Sequence, residues 1–368
     1  LSALLLLGTT AHAEDQAKPV EFGAVWTSDL TSVTGGLRRG GLMMHNLDLT
    51  AHWQGSHGWE AFGYVLEDFN GGLSSKYIGD TQVTSNIDTP PAAHLFEAYV
   101  RKTSADQTVT TTFGLINLNG IFDVQDVGSL FLNASHGIGP DYSQSGPSIF
   151  PVSALGAVGE WHVNDKLILR GGVFDGVPGD ANDPSRFAYI RLAKDEGAHL
   201  IAEGEYDGDG VVLKLGHWTD TVAVSRLDGM GTQHMSGTYG QAQFTLTQEA
   251  DHADQGLKAW LRAGVASKQT LAVDQYIGGG LVYAGPLPGR DDDFAGFAIA
   301  QAHFGAPYRA TVASLAAETT YELSYQAAIR PGLSLEPDVQ YVVHPGGTPG
   351  VKNATVIGVR LKLDLLAR

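Results

Sequence analysis

"TYELSYQAAIRPGLSLEPDVQYVV", residues 320–343, has the pattern of two alternating strands on either side of a tight Arg330-Pro331-Gly332 turn. One face of both strands is apolar and carries Tyr321, Leu323, Tyr325, Leu333, Leu335, Val339 and Tyr341. The opposite face is polar and carries Glu322, Ser324, Gln326, Ser334, Glu336, Asp338 and Gln340. Successive side chains of a strand point to opposite faces, so one face of this hairpin avoids water. The pattern alone leaves open whether that face contacts a protein core or lipid.

The same period-two alternation recurs along most of the chain. It predicts sixteen strands, near 20–27, 41–53, 58–67, 91–102, 107–116, 152–163, 166–175, 198–207, 210–219, 237–248, 256–266, 274–284, 294–304, 318–329, 332–342 and 354–364. Many of them reach the length of a tilted membrane-crossing strand and exceed the usual length of a globular strand. The even number is typical of bacterial outer-membrane barrels.

The connections between these strands alternate in length. Short links such as VND, DGDG and RPG separate long segments at 28–40, 68–90, 117–151, 176–197 and 220–236. Outer-membrane barrels have this arrangement, with short periplasmic turns and long extracellular loops. We therefore predict an all-β fold, a transmembrane antiparallel β-barrel of about sixteen strands. Its apolar faces meet lipid, and its polar faces line an interior too wide for side chains to fill.

Composition excludes several classes of function. A net charge of −17 argues against a nucleic-acid partner, because phosphate binding needs a basic surface. The chain has no cysteine, so it can form neither a disulfide nor a thiolate metal site. No H-E-x-x-H motif, G-x-S-x-G elbow or phosphate-binding loop occurs, which argues against an enzyme.

The first thirteen residues, LSALLLLGTTAHA, resemble the end of a secretory signal, with an apolar run before a small-residue cleavage site. We predict a partial signal peptide at 1–13 and a single barrel domain at 14–368. An exported barrel of this kind belongs in the bacterial outer membrane.

Several stretches are similar to the carbohydrate-selective porin family of the OprB type. They are TSDLTSVTGGLRRGG followed by NLDLT, YIGDTQVTSNIDTPPAAHLFEAYV, GSLFLNASHG, LILRGGVFDGVPGD, LPGRDDDFAGFAIAQAHF, and LSLEPDVQYVVHPGGTP with ATVIGVRL, and they recur from about residue 27 to residue 363. The resemblance implies passive, selective diffusion of monosaccharides such as glucose and other neutral sugars. It leaves a general non-specific porin as the alternative, and an outer-membrane hydrolase or adhesin as a third. Outer-membrane barrels commonly finish on an aromatic residue used in assembly, whereas this sequence finishes LDLLAR, which leaves the efficiency of insertion open.

The longest connection, 117–151, is the expected site of selectivity. By analogy with porins of this architecture, it folds inward and narrows the passage, where Asp123, Asp126 and Asp141 offer hydrogen-bond acceptors. Cations expected on the opposite wall or at its rim are Arg38, Arg39, Arg101, Arg170, Arg262 and Arg360, of which Arg39, Arg101, Arg170 and Arg360 form the preferred set. A guanidinium can donate paired hydrogen bonds to vicinal hydroxyls.

Two tryptophans, Trp218 and Trp260, fall on predicted polar faces. Stacking on a sugar would explain them, and so would packing beneath an inward-folded loop. No cofactor is expected, although oxygen-rich residues at 175–183 leave a structural calcium ion possible. Permeating sugars and membrane lipid are the expected partners, and the pattern does not distinguish a monomer from a homotrimer.

Overall fold

The computed structural model describes residues 19–249 and 254–367, so the predicted signal peptide at 1–13 lies outside the described residues. The strands are β1 (Glu21–Gly36), β2 (Gly40–Gln54), β3 (Trp59–Phe69), β4 (Ala92–Thr103), β5 (Val109–Ile116), β6 (Ala154–Asn164), β7 (Leu167–Asp175), β8 (Ala198–Gly208), β9 (Val211–Ser225), β10 (Thr232–Thr245), β11 (Gly256–Ala266), β12 (Val273–Ala284), β13 (Phe294–Phe304), β14 (Ala317–Arg330), β15 (Leu333–Val343) and β16 (Lys352–Asp364). Each pairs antiparallel with its sequence neighbours, and β1 pairs with β16 to close the barrel. The predicted sixteen-strand barrel is confirmed.

Over residues 19–249 and 254–367, helical structure is confined to the connections. Two α-helices occur there, α1 (Pro140–Ser143) and α2 (Ala306–Val312). Single helical turns occur at Ser56–Gly58, Ser74–Ile78, Leu118–Gly120, Val127–Leu130, Ala134–His136 and Pro345–Gly347. Among the residues described, no helix has the length and apolar character needed to cross a membrane.

The register of the closing strand pair shows how sequence alternation becomes an inside and an outside. Leu30 of β1 pairs with Val359 of β16, and the next rung pairs Asp29 with Arg360. Directly opposed residues lie on the same face of a sheet. Leu30 is 60% exposed, whereas Asp29 is 2% exposed and bonded to Arg360. The apolar rung therefore faces outward and the charged rung faces inward.

A belt of exposed apolar side chains surrounds the barrel. Large outward members of this belt are Leu30, Phe113, Leu215, Leu281, Phe297, Leu323 and Ile357. Near the end of the barrel that carries the short turns, the outward aromatic residues include Phe22, Trp53, Trp59, Trp161 and Tyr206. An apolar belt with an aromatic girdle is the surface that lipid requires. The apolar face of the 320–343 hairpin belongs to this belt, which answers the question that its pattern raised.

Two predicted long loops are wrong. β1 continues through Gly36, so the predicted connection at 28–40 shrinks to residues 37–39. Strands β9 and β10 likewise extend to Ser225 and from Thr232, which reduces the predicted 220–236 loop to 226–231. In TSDLTSVTGG the alternating residues are mostly Ser and Thr, so the hydrophobic contrast is weak although β-branched Thr favours a strand.

Two long connections at the opposite, long-loop end reach into the barrel. The inner loop, residues 117–151, leaves the wall after β5. The support loop, residues 70–91, joins β3 to β4. A buried apolar cluster fills the space between the inner loop and the wall; its larger members are Phe122, Ile138, Tyr142, Phe174, Trp218 and Tyr239. The core of this protein therefore lies within the barrel, beneath the inner loop.

Candidate functional site

The inner loop runs along the inward face of the barrel and is held there by hydrogen bonds to the wall. Its Asp123 N–H donates to Glu203 Oε2 of β8 at 2.9 Å, and its Leu132 N–H donates to Glu322 Oε1 of β14 at 2.5 Å. The two strands contacted, β8 and β14, are the first and the last of seven consecutive strands of the barrel. The wall from β8 to β14, the covered wall, is therefore shielded from the passage by the inner loop.

A buried ion-pair cluster fixes the middle of the inner loop. The Arg262 guanidinium donates through Nε and Nη2 to the Asp123 carboxylate, at 2.9 and 2.6 Å, and through Nη1 to Asp141 Oδ1 at 2.8 Å. The three side chains are fully buried. The rings of Tyr239 and Tyr276 each have their centroid 5.3 Å from the guanidinium carbon. One cation from β11 thus holds two carboxylates of the inner loop at once.

Small residues on the covered wall allow the inner loop to approach this closely. A Cβ at Gly264 of β11 would lie 1.9 Å from Asp141 Oδ2, and a Cβ at Gly296 of β13 would lie 2.7 Å from Leu130 Cδ2. Other inward positions beside them are also small; they are Gly278, Gly280, Ala298, Ala300 and Ala302. The small residues in GGG at 278–280 and AGFAIAQA at 295–302 therefore provide a surface against which the inner loop can pack closely.

The two inward tryptophans lie beneath the inner loop. Trp218 stacks on Tyr142, with ring centroids 4.8 Å apart and an interplanar angle of 9°. Trp260 contacts Phe131 and His136, at centroid distances of 6.4 and 5.4 Å. Both indoles are buried, so the structure supports the packing interpretation and not the sugar-stacking one.

Burial also controls the charge of His136 in this region. It lowers the pKa of His136 to about 3, so the imidazole is neutral at pH 7. Nε2 lies 3.2 Å from Glu322 Oε2, but in the part of the chain that the structure describes neither ring nitrogen has a hydrogen-bond partner of good geometry. The ring packs against Trp260 as a neutral aromatic group.

The support loop braces the inner loop from the long-loop end. Asn86 N–H donates to Leu132 O at 2.7 Å, and Ala134 N–H donates to Val83 O at 2.9 Å. These two bonds join the loops through their backbones, as in a short piece of sheet. Glu322 and Asp338 face the interior as the alternation predicts, but the two loops bury them, so they do not line a wet surface.

The wall formed by β2 to β7, the open wall, has a group of inward side chains near the short-turn end that are only partly buried, although others on these strands, such as Tyr64, Phe96 and Phe174, are buried. Phe62 and Tyr99 lie with ring centroids 5.3 Å apart. The Arg101 guanidinium carbon is 5.3 Å from the Tyr99 centroid, and Arg101 Nη1 is 3.9 Å from Glu60 Oε2. His52 Nε2 lies 3.4 Å from the same carboxylate oxygen. Side-chain exposures of 27% for Arg101 and 29% for Glu60 leave both groups accessible from the passage.

The structure corrects the prediction for five proposed passage residues. Their side chains are almost completely buried between the inner loop and the covered wall; they are Asp123, Asp141, Trp218, Trp260 and Arg262. None can contact a solute while the inner loop is in place. Alternation identified the inward orientation of Trp218, Trp260 and Arg262, and analogy placed Asp123 and Asp141 on an inward-folding loop. Neither argument carries information about which inward residues the loop covers.

The preferred arginine set is divided between the two ends of the barrel. Arg101, Arg170 and Arg360 lie on strands near the short-turn end, whereas Arg39 is exposed in the β1–β2 connection at the long-loop end. Arg170 is 12% exposed and donates to three carboxylates; they are Glu160, Glu203 and Glu205. Arg360 is also 12% exposed and makes a paired contact with Asp29. Arg101 is therefore the most accessible arginine of the strand-borne three.

The remaining predicted residues lie at the long-loop end or in the inner loop. Arg38 is exposed, and its guanidinium carbon lies 4.2 Å from the Tyr77 ring centroid. Asp126 is an exposed residue of the inner loop. In the 175–183 segment, Asp180 accepts hydrogen bonds from Asn182 and Arg186. Within the described residues no group of three or more His, Asp or Glu side chains is arranged to hold a metal ion.

Sequence reasoning missed the aromatic pair of Phe62 and Tyr99. The available signal was the one used for the two tryptophans, an aromatic residue on the polar face of an alternating strand. In WEAFGYVL, Phe62 shares its face with Glu60, and in FEAYVRK, Tyr99 shares its face with Arg101.

Comparison with known proteins gives a consistent family assignment. The family model described as "Carbohydrate-selective porin, OprB family" matches residues 44–365. Porin B of Pseudomonas aeruginosa is 29% identical over 150 residues, and the match covers 36% of this chain and 33% of that protein, so it spans about a third of the relative. The putative porin QuiX of Acinetobacter baylyi is 25% identical over 307 residues, covering 73% of this chain and 69% of that one.

Solved structures show the same fold. The high-pH structure of Pseudomonas putida OprB superimposes with a TM-score of 0.85 at 19% identity, covering 94% of both chains. At that level of identity the likeness establishes the sixteen-strand architecture and no more.

Proposed function

The chain belongs to the carbohydrate-selective porin OprB family, and from that membership we propose that it is a channel for passive, selective diffusion of neutral sugars, monosaccharides such as glucose among them. Its place is the bacterial outer membrane. A porin is a channel rather than an enzyme, so the hydrolase alternative is set aside.

The observation that carries this proposal is the open wall. A sugar ring presents a C–H face that packs against aromatic rings and a rim of hydroxyls that donate and accept hydrogen bonds. The Phe62–Tyr99 pair offers the apolar surface, and the Arg101–Glu60 pair beside it offers donors and acceptors. Both kinds of contact lie within one partly exposed patch.

Charge pairing on the same wall favours a neutral solute. Arg101 is placed beside Glu60, and Arg170 beside Glu160, so each cation already has a carboxylate neighbour. A paired guanidinium keeps free N–H groups for hydroxyls but attracts a simple anion less than an isolated one does. The inner loop supports selectivity further by occupying the other side of the interior.

The test is a comparison of sugars in a reconstituted channel. We expect glucose to reduce the potassium conductance of single channels in planar bilayers, and liposomes to swell faster in monosaccharides than in amino acids of similar size. Tyr99→Leu keeps apolar bulk but removes the aromatic face, and should weaken glucose block. Phe297→Leu, on the lipid-facing side of β13, is the matched control and should not.

The contrary result is equally clear. A large conductance that is indifferent to glucose, with equal swelling rates for sugars and amino acids, would assign the chain to the general non-specific porins.

A further inference from the structure

A groove on the outward face of the barrel lies apart from the passage and takes no part in sugar diffusion. It has a volume of about 490 Å³ and crosses β4, β5 and β6. Val100 and Phe113 form one side, Trp59 lies at the short-turn end, and Gly159 forms part of the floor. Large Leu, Ile, Val and Phe side chains make up much of the outward belt around it, so the groove is a depression in the lipid-facing wall.

Missing side chains create the groove. Thr111 of β5 pairs with Gly159 of β6, which in turn pairs with Gly171 of β7. A Cβ at Gly159 or at Gly171 would have no described atom within 4 Å, so both glycines open outward. Beside them Phe113 is 57% exposed and stands as a ridge. Along the rung that contains Gly159 and Gly171 the outward surface of the wall is therefore lower than along the adjacent rung, which carries Phe113.

A cation lies at the short-turn end of the groove. The Lys102 ammonium nitrogen is 5.3 Å from the centroid of the Trp59 ring and donates to the carbonyl oxygen of His57. Trp59 and Trp161 belong to the aromatic girdle, which marks the depth of lipid headgroups. An apolar trough therefore ends at a positive charge, at the depth where the phosphate of a membrane lipid lies.

We propose that this groove binds one phospholipid of the periplasmic leaflet of the outer membrane. One acyl chain lies over Gly159 along the Phe113 ridge, and Lys102 faces the lipid phosphate. Basic residues at the membrane interface attract anionic headgroups, and apolar contact holds the chain. A flexible chain can follow a trough a few strands wide, whereas the convex wall of a second barrel cannot enter it.

The first test fills the trough without disturbing the protein. Barrels reconstituted with phosphatidylglycerol, then transferred to detergent, are examined for retained lipid by native mass spectrometry. Gly159→Leu should retain phosphatidylglycerol about tenfold less well, the loss expected when roughly two methylene groups are displaced. Gly240→Leu is the matched control, because this outward glycine of β10 has only ordinary contacts at 3.7 Å. It should retain lipid as the wild type does.

The second test separates headgroup from chain. Wild-type barrels should retain phosphatidylglycerol in preference to uncharged diacylglycerol, and Lys102→Gln should lose that preference. Lys166→Gln removes a lysine from a neighbouring short turn outside the groove and should keep it. Equal lipid retention by Gly159→Leu and Gly240→Leu overturns the proposal. So does a lipid-free dimer or trimer that Gly159→Leu dissociates, since the groove would then hold a second copy of the chain.

Discussion

The covered wall and the open wall are both made of alternating strands and carry the same kinds of chemical group, but these groups differ in how deeply they are buried. Arg262 on the covered wall and Arg101 on the open wall each lie 5.3 Å from a tyrosine ring and beside a carboxylate. Arg262 is fully buried and reaches its carboxylate at 2.6 Å, whereas Arg101 is 27% exposed and 3.9 Å from Glu60. The inner loop makes the difference.

Covering a wall converts a solute-facing group into a structural one. A buried ion pair has lost its water and depends on its partners, while a partly exposed pair exchanges contacts with water and solutes at little cost. The covered wall should therefore determine where the inner loop lies, and the open wall should determine what passes.

The largest effect is expected from Arg262→Met, which leaves Asp123 and Asp141 buried without a cation. Breaking a buried pair by removing one partner costs about 3–5 kcal/mol. We expect the inner loop to leave the wall, seen as faster hydrogen exchange of its amides and a higher single-channel conductance. Arg101→Met is the control and should leave the conductance unchanged. An equal rise in conductance in Arg101→Met and Arg262→Met would contradict the difference described between the two walls.

A smaller effect is expected from crowding the same contact. In Gly264→Ala the new Cβ would lie 1.9 Å from Asp141 Oδ2, and overpacking of this kind costs about 1–3 kcal/mol. Gly358→Ala adds the same methyl group to an inward position of β16, where its nearest neighbour is at an ordinary 3.4 Å. In urea titrations the unfolding midpoint should fall for Gly264→Ala and not for Gly358→Ala. Equal midpoints would mean that close packing of the inner loop against Gly264 does not contribute to stability.

The strands were largely predictable because each one alternates over its own length. The period-two pattern of TYELSYQAAI or TVIGVRLKL assigns faces with no knowledge of distant residues. The pattern fails at TSDLTSVTGG, where Ser and Thr give little contrast in polarity between the two faces. The predicted first strand is therefore shorter than the observed β1.

The candidate site was predictable only in part, because coverage by a loop is a tertiary property. Trp218 and Trp260 carry the same sequence signal as Phe62 and Tyr99, an aromatic residue on a polar face. The first pair is buried under the inner loop, whereas the second is only partly buried. Only the small residues at 278–280 and 295–302 marked which wall the loop would cover, and that signal is read from several strands together.

On the open wall we expect a functional effect without a structural one. Arg101→Gln removes the charge from a partly exposed group whose hydrogen bonds to a solute are each worth about 1 kcal/mol. The glucose concentration that half-blocks the channel should rise by about five- to tenfold, the equivalent of that energy. Stability in urea should be unchanged. Arg226→Gln, on the exposed β9–β10 connection, serves as the control for lost charge, and an unchanged glucose block in Arg101→Gln would remove this arginine from the site.

The smallest effect is expected at the long-loop rim, where Arg39 is exposed and belongs to neither wall. An exposed charge of this kind contributes little, so Arg39→Gln should change the half-blocking glucose concentration by less than about twofold. The measurement is the same bilayer titration used for Arg101→Gln, run at two salt concentrations to detect long-range attraction. A shift as large as that of Arg101→Gln would place sugar binding at the rim. The passage between the two walls would then select solutes by size alone, and the Phe62–Tyr99 pair beside Arg101 would have no part in selectivity.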